Sequence, residues 1–592
     1  MNFSEFSSYL ARLETTSKRL EITAVLAELY RSLDQTEVQQ ASYLLLGSLR
    51  PLFESLEFQM SSKMVMRALA GWRSKVRPQE GVATDLFGTE NIEADAAWVS
   101  EQFRTKGDLG LVAEEIAMLA RSADTLSVAE VYNQLETIAL LSGSGSQEQK
   151  VTQLTGLFSH LDGFGAKFVA RIVIGKMRLG FSVMTLLDAL SWSTHNDKRD
   201  HEVLEDAYQK RADIGYLAKI YLAASTPKEQ ARALAKYSVA VGTPVVPQLC
   251  QRIGSPQEVI EKMGMVYAEP KYDGLRAQIH ISTLDGKKSV KVFTRSLEDV
   301  THMFPEAVAA TTGLQLDSAV FDSEAIGFNQ KTGELLPFQE TITRKRIHGV
   351  AEKADSVPIR FYIFDLLYLN GESWIDKPLR ERKARLKQII IQNEYLNITS
   401  HLETNNPEEL QKYHESELGD GLEGIVIKQP TSPYVGGRKG WHWVKLKELA
   451  GTRGKLLDTL DCIVLGYYPG QGKRTQFGIG AFLVGVRDGE SIVTVAKIGT
   501  GLSDDQFREI KQLCDPHQVV LKPKQYAIPK ALIPATYIAP QIVVEIAADE
   551  VTISPMHTAG LALRFPRMIR IRHDKSPDDA STLAELRTLA AL

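Results

Sequence analysis

YAEPKYDGLRAQIHI, residues 267–281, places Lys271-Tyr272-Asp273-Gly274 between two β-like apolar segments, with Glu269 just before the lysine and Arg276 just after. A lysine becomes a covalent nucleophile only when something removes or discourages its proton, and nearby charge, bound metal and partial burial are the usual means. The residues around Lys271 fit such a lysine. Asp-Gly is also ordinary turn chemistry, so these residues alone describe a hairpin turn with solvated charges equally well.

Working outward, the 592-residue chain is long enough for roughly three or four domains. Apolar and charged residues make up 44% and 24% of it, as in soluble globular proteins. The amino-terminal MNFSEFSSYLARLETTSKRL sets Phe3, Phe6, Leu10 and Leu13 at helical spacing with acids between them, unlike a cleavable signal. No apolar run approaches the ~18 residues of a membrane span, so an intracellular, cytoplasmic or nucleoid protein without membrane contact is expected. The three cysteines, Cys250, Cys462 and Cys514, contain no C-x-x-C pair, which excludes a four-cysteine zinc site and predicts reduced, buried thiols. A net charge of −4 excludes a uniformly basic nucleic-acid binder. Local basic clusters such as KRTQF from Lys473 and LRFPRMIRIRHDK from Leu563 leave DNA binding open.

The organisation predicts a multidomain chain. Residues 1–235 are rich in Leu, Ala, Glu and Lys at three- and four-residue spacing and read as all-helical. Within them LSGSGSQEQK from Leu141, and Gly163 and Gly165 ahead of a basic helix, are glycine turns whose N–H groups suit phosphate oxygens. Arg171, Lys176 and Arg178 extend that expectation along a DNA backbone. Pro244, Pro247 and Pro256 mark a linker into residues 236–448, where segments such as VKVFTR, IRFYIFDLLYL and GLEGIVIK alternate with helices such as PLRERKARLKQIII. That mixture predicts an α+β domain with antiparallel sheet. After Leu449-Ala450-Gly451, residues 449–592 show short strands with glycine turns, which fit a small closed barrel of the oligonucleotide-binding (OB) type.

Further segments follow the lysine loop in order: Arg295 and Glu298 in FTRSLEDVT, Asp322 and Glu324 in FDSEAIGF, Phe364 and Asp365 in FYIFDLLYLNG. Then come Glu423, Gly424 and Lys428 in DGLEGIVIK, Lys445 and Lys447 in WHWVKLK, and Arg564, Arg567 and Lys575 in LALRFPRMIRIRHDK. Through these ordered motifs, and the helical region ahead of them, nearly the whole chain resembles the ATP-dependent DNA ligases of the archaeal and eukaryotic replicative type, members of the covalent nucleotidyltransferase superfamily.

The resemblance implies nick sealing in DNA replication, repair and recombination by three transfers: lysine to AMP, AMP to a 5′-phosphate, then attack by the 3′-hydroxyl. It makes Lys271 the nucleophile, assisted by Asp273. Since a free lysine near pKa ~10.4 is mostly protonated at neutral pH, neighbouring cations and metal are expected to discourage its proton. It implies Glu324 and Glu423 as ligands of Mg2+, with Mn2+ as a substitute, Phe364 stacked on adenine, and Glu269 accepting a hydrogen bond from the adenine amino group or ribose. Arg276 and Arg295 would hold ribose or phosphate, Lys445 and Lys447 phosphates, and Arg564, Arg567 and Lys575 the leaving pyrophosphate. One departure stands before Trp443: the family's arginine four residues ahead is here Lys439, with Arg438 preceding it, so either takes the phosphate role. Nicked duplex DNA is the expected partner, a sliding clamp a candidate one, and monomeric action the expectation. An NAD-dependent ligase is disfavoured by the missing zinc cysteines, an RNA ligase or capping guanylyltransferase by the large helical region, and a non-catalytic DNA-end scaffold by the intact lysine and glutamates.

Overall fold

The computed structural model describes residues 1–77, 89–120, 126–336, 338–341, 357–447, 459–470, 472–548 and 550–589. It divides into two compact units, Met1–Lys447 and Glu448–Leu592. The connection expected through Leu449-Ala450-Gly451 lies outside the described residues.

The first unit opens with helices whose apolar spacing fixes their buried faces. In Phe3–Glu14 the residues Phe3, Phe6, Leu10 and Leu13 are all buried, as their spacing predicts. The core they share includes Trp72 stacked on Phe158 with ring centroids 5.4 Å apart. The helix Gly163–Ile174 lies inside this bundle and packs on Leu109–Ala117. A Cβ on Gly110 would come within 2.9 Å of the Arg171 side chain, so only glycine lets that arginine lie across the neighbouring helix.

The remainder of this unit carries two sheets. One has the strand order Gln251–Arg252, Trp443–Lys447, Gly424–Lys428, Val266–Pro270, Leu402–Thr404, antiparallel except for its first, parallel pair. The other runs Lys287–Thr294, Leu275–Leu284, Ser318–Gly327, Ile359–Leu369, Glu372–Ser373, with Leu396–Ile398 added in parallel to Ile359–Leu369. Lys271 sits where the chain passes from Val266–Pro270 in one sheet to Leu275–Leu284 in the other. The two segments flanking it do not pair with each other, which rules out the hairpin that the local residues allowed. Gly274 makes this crossing sterically feasible, because a Cβ there would stand 2.7 Å from the Ala325 carbonyl oxygen and 3.0 Å from Glu324 Cγ.

The second unit is rich in sheet. Its longest strand, Leu460–Tyr468, pairs with Ala481–Asp488, Thr536–Ile538 and Val543–Ala547, and the last of these pairs with Arg567–Ile571. The inward residues, among them Cys462, Val464, Phe482, Val484, Val495 and Val544, form its core with the helix Asp504–Cys514. The closed barrel expected from the sequence corresponds, among the described residues, to an eight-stranded sheet plus a separate hairpin of Glu550–Ile553 and Leu561–Arg564. Cys462 and Cys514 are buried, whereas Cys250 is only partly so; all three are free thiols.

Candidate active site

The lysine loop is fixed by backbone before any side chain acts. The Lys271 N–H donates to the Gly424 carbonyl at 2.9 Å, and the Glu423 N–H donates to the Lys271 carbonyl at 3.2 Å. These bonds extend the ladder between Val266–Pro270 and Gly424–Lys428, so the two motifs lie side by side although about 150 residues separate them in sequence. The Lys271 ammonium consequently pairs with the Glu423 carboxylate.

Glu324 reaches the same cluster from the other sheet, directly opposite Arg276 in the register. Burial pushes its carboxyl up to about 7, against the pull of Lys271 and Arg276 and with the support of the Asp322 and Asp273 charges. Glu324 and Glu423 therefore supply hard oxygen donors on a carboxylate-crowded lysine loop. A divalent cation that keeps most of its waters and bridges phosphates fits this donor set, since it takes only one or two carboxylates from a protein.

Behind the loop the charges are buried and paired. Asp322, fully buried, accepts from Arg276 Nε at 3.1 Å and Nη2 at 2.6 Å, and from the Tyr434 hydroxyl at 2.6 Å. Arg276 Nη1 donates to the Gln248 carbonyl at 2.5 Å, and its Nη2 also to the Tyr434 hydroxyl oxygen at 3.1 Å. All three guanidinium nitrogens of Arg276 thus donate within the protein, so the expected contact to ribose or phosphate requires that one of these partners be exchanged. Glu269, 2% exposed, forms ion pairs with Lys383 at 2.5 Å and Lys428 at 2.6 Å. Lys428 stands 4.3 Å from the Phe364 ring centroid and 4.1 Å from that of Trp443, and burial lowers the proton affinity of its ammonium. Phe364 is half-buried and edge-on to Trp443 at 5.9 Å. The next residue, Asp365, receives a buried two-pronged contact from Arg382 at 2.6 and 2.9 Å.

Other expected residues fall differently. Arg295 is exposed on the turn after Lys287–Thr294. Lys445 is half-buried on its strand opposite Val426; Lys447 lies on the same strand opposite Gly424, and its side chain lies outside the described residues. Arg438 is exposed, while Lys439 pairs at 2.6 Å with Glu205 of the helical region instead of standing open for phosphate. Within the second unit Arg564 is half-buried, Arg567 exposed, and Lys575 paired with Asp461 at 2.6 Å.

The three basic residues of the helical region separate. Arg171 is 2% exposed and bound by Asp108 at 2.7 Å and Glu14 at 2.8 Å, so the expectation of a DNA contact is corrected: its guanidinium is an internal brace. Lys176 is exposed, and Arg178 is exposed with Nη2 donating to the Gly107 carbonyl at 2.7 Å. The turn at Gly163 is also less open than its glycines suggest. Asp162 caps it by accepting from the Gly165 N–H at 2.7 Å, and an acid there repels phosphate.

Sequence reading missed Arg382 and Lys383, taking PLRERKARLKQII only as a helix. Their signal was present: positions 379, 382, 383 and 386 fall on one helical stripe, and the structure buries Leu379, Arg382, Lys383 and Leu386 together. It also missed Gln248, because PVVPQL read as a linker, and Tyr434, which lies in SPYVGG outside every motif singled out.

The family described as ATP dependent DNA ligase domain matches residues 247–447, the DNA ligase N terminus residues 2–191, and the ATP dependent DNA ligase C terminal region residues 475–575. A probable DNA ligase of Dictyoglomus turgidum is 38% identical over 99% of this chain and 97% of its own length. The chain belongs to the ATP-dependent DNA ligases. A DNA ligase of Pyrobaculum calidifontis is 35% identical over 99% of this chain and 98% of its own length. The solved structure Pmar-Lig_PreS3 covers 96% of this chain and 99% of that chain at a TM-score of 0.52 and 15% identity, a likeness of fold alone. This ligase forms phosphodiester bonds by nucleotidyl transfer from ATP. No described helix is long and apolar enough to cross a membrane.

Proposed function

We propose that Lys271 is the residue through which this ligase works. Its amine attacks the α-phosphorus of ATP, the bond to pyrophosphate breaks, and a phosphoramide to AMP forms. A 5′-phosphate oxygen at a nick then takes the AMP and the lysine nitrogen leaves. Last, the 3′-hydroxyl attacks the activated 5′-phosphorus, AMP departs, and the strand is closed. The observation that carries this reading is the meeting of Lys271, Glu423 and Glu324 at the crossing between two sheets. Glu423 already holds the ammonium and is the adjacent acceptor for the proton the amine must lose. Asp273 orients the loop. Mg2+, with Mn2+ as substitute, would be held by Glu324 and Glu423 and would neutralise charge on the phosphate oxygens. Phe364 stacks the adenine, Glu269 accepts from its amino group, and Arg295, Lys445, Lys447 and Arg438 serve the phosphates.

The chain is read as three parts: a DNA-binding region over residues 1–235, an adenylation domain over 236–448 and an OB-type domain over 449–592. In the last, Arg564, Arg567 and Lys575 contact the leaving pyrophosphate, for which Lys575 must exchange Asp461 for phosphate. Lys176 and Arg178 remain as contacts to nicked duplex DNA. Monomeric action in the cytoplasm, in replication, repair and recombination, with a sliding clamp as a candidate partner, completes the reading.

The test is incubation with radiolabelled ATP, NAD or GTP and magnesium, followed by a denaturing gel and a nicked-duplex sealing assay. A covalent adenylate from ATP that is absent in Lys271→Ala supports the assignment. Label that persists in this variant would place the nucleophile elsewhere. Truncation after Leu449 is expected to abolish self-adenylylation while sparing closure of pre-adenylylated DNA; equal loss of both steps would count against the pyrophosphate role of the barrel motif.

A further inference from the structure

The Glu269 carboxylate sits in an unusual setting. It is 2% exposed and lies between two ammonium groups that are themselves almost wholly buried, Lys383 at 2.5 Å and Lys428 at 2.6 Å. The two ammoniums take different oxygens, Lys383 beside Oε1 and Lys428 beside Oε2, so both are needed to fix the carboxylate's orientation. Two buried cations against one carboxylate also leave a surplus positive charge in a low-dielectric region, which a protein tolerates only where other groups answer it. Two aromatic faces do so here, with Lys428 within 4.3 Å of the Phe364 and Trp443 ring centroids. Each oxygen of Glu269 has one ammonium beside it, and a carboxylate oxygen can accept twice, so acceptor capacity is left over two residues before Lys271.

Both lysines hold the site from elements that carry other parts of the pocket. Lys383 is adjacent to Arg382, which grips Asp365 beside Phe364, so one helix fixes both the ring and the carboxylate. Lys428 ends the strand that begins one residue after Glu423. Burial and the Lys383 charge hold His401 down at about 4; it is thus neutral at pH 7 and adds no third cation.

We propose that Lys383, with Lys428, is a positioning residue that makes Glu269 an obligate hydrogen-bond acceptor and so sets the nucleobase this ligase takes. The inference rests on the reading above that Glu269 faces the purine. An ionised carboxylate accepts at every lone pair and donates nowhere. Adenine presents a donor at its 6-position, guanine an acceptor, so a carboxylate locked in this form rewards the first and meets the second lone pair to lone pair. With guanine the carboxylate keeps its two lysines but meets a second acceptor, a repulsive contact in a buried site, so rejection of guanine is the larger part of the discrimination.

The experiment measures self-adenylylation or guanylylation of the full chain with ATP and GTP across concentration, in the wild type and in Lys383→Met, Lys383→Arg and Glu269→Gln. Lys383→Met is expected to lower the ATP-over-GTP ratio of kcat/KM by about tenfold or more, with the change in KM, because the contact is to the base and not to the reacting phosphorus. Lys383→Arg keeps the charge and is expected to stay within about threefold of the wild-type ratio. Glu269→Gln, which can donate as well as accept, is expected to collapse the preference even if Lys383→Met does not fold. A folded Lys383→Met or a Glu269→Gln variant with unaltered ATP preference overturns the proposal, as does an equal loss with both nucleotides in Lys383→Met and Lys383→Arg. Failure of the wild type to label with ATP would instead strike the underlying assignment of Lys271.

Discussion

Replacing Glu324 by glutamine should make the nucleotide-free protein more stable, although it removes a residue assigned to metal binding. The carboxyl lies at about 7 against an ordinary value of 4.5. A tenfold change in proton affinity corresponds to ~1.4 kcal/mol, so ionising this group in the fold costs about 3 kcal/mol at alkaline pH, and about 2 kcal/mol after discounting for solvent at a half-buried side chain. The sign follows from proton counts. Between pH 4.5 and 7 the folded state holds a proton that the unfolded state has released, so stability falls as pH rises through that window and the full penalty is present above it. Glutamine has the same shape and no charge to desolvate. Urea unfolding without nucleotide or metal at pH 8.5 should therefore show Glu324→Gln more stable than wild type by about 2 kcal/mol, shrinking to under about 1 kcal/mol at pH 5. Wild type should regain the difference when Mg2+ and ATP are added, since ligands that bind only the folded state stabilise it. A variant that is less stable at both pH values, or a difference that does not change with pH, would refute the argument that Glu324 is held ionised at a cost to the fold.

Arg171→Met should destabilise the helical region by about 3–5 kcal/mol, because Asp108 is left buried without its partner. Its slope of log Kd against log salt for nicked DNA should match wild type; a reduced slope would restore Arg171 as a phosphate contact. Lys176→Ala should do the reverse, leaving the melting temperature within a degree or two and lowering the salt slope by about 0.9 for the one phosphate lost. Tyr434→Phe removes the hydroxyl shared by Asp322, Arg276 and Gln248, at an expected cost of about 1–3 kcal/mol. If this hub braces the pocket, KM for ATP in self-adenylylation rises more than kcat falls; a variant with wild-type KM and stability would remove it from the pocket's support.

The helical character of the first region was legible from spacing alone, since Phe3, Phe6, Leu10 and Leu13 can share a buried face only on a helix. The alternation of strands and helices around Lys271, and the order of Glu324, Phe364, Glu423 and Lys445 behind it, gave the family and its reaction. What could not be read was which charges are internal. Arg171 and Lys176 are five residues apart in one basic stretch, yet one is sealed under Gly110 against Asp108 and the other meets solvent. Lys383 looked like an ordinary helix-surface lysine until its place on the buried stripe of Leu379 and Leu386 was seen.

Local sequence thus determined most elements, the candidate nucleophile and the class of chemistry, because periodicity and motif order are properties of neighbours along the chain. Tertiary structure alone decided that Lys271 lies on a crossing between two sheets, that Arg276 braces Asp322, and that Glu269 is gripped by two lysines. The reason is electrostatic: a charge acts as a ligand, a brace or a solvated surface group according to its burial and to the partner brought within about 3 Å. For Arg171 that partner is 63 residues away, a relation that only packing can create.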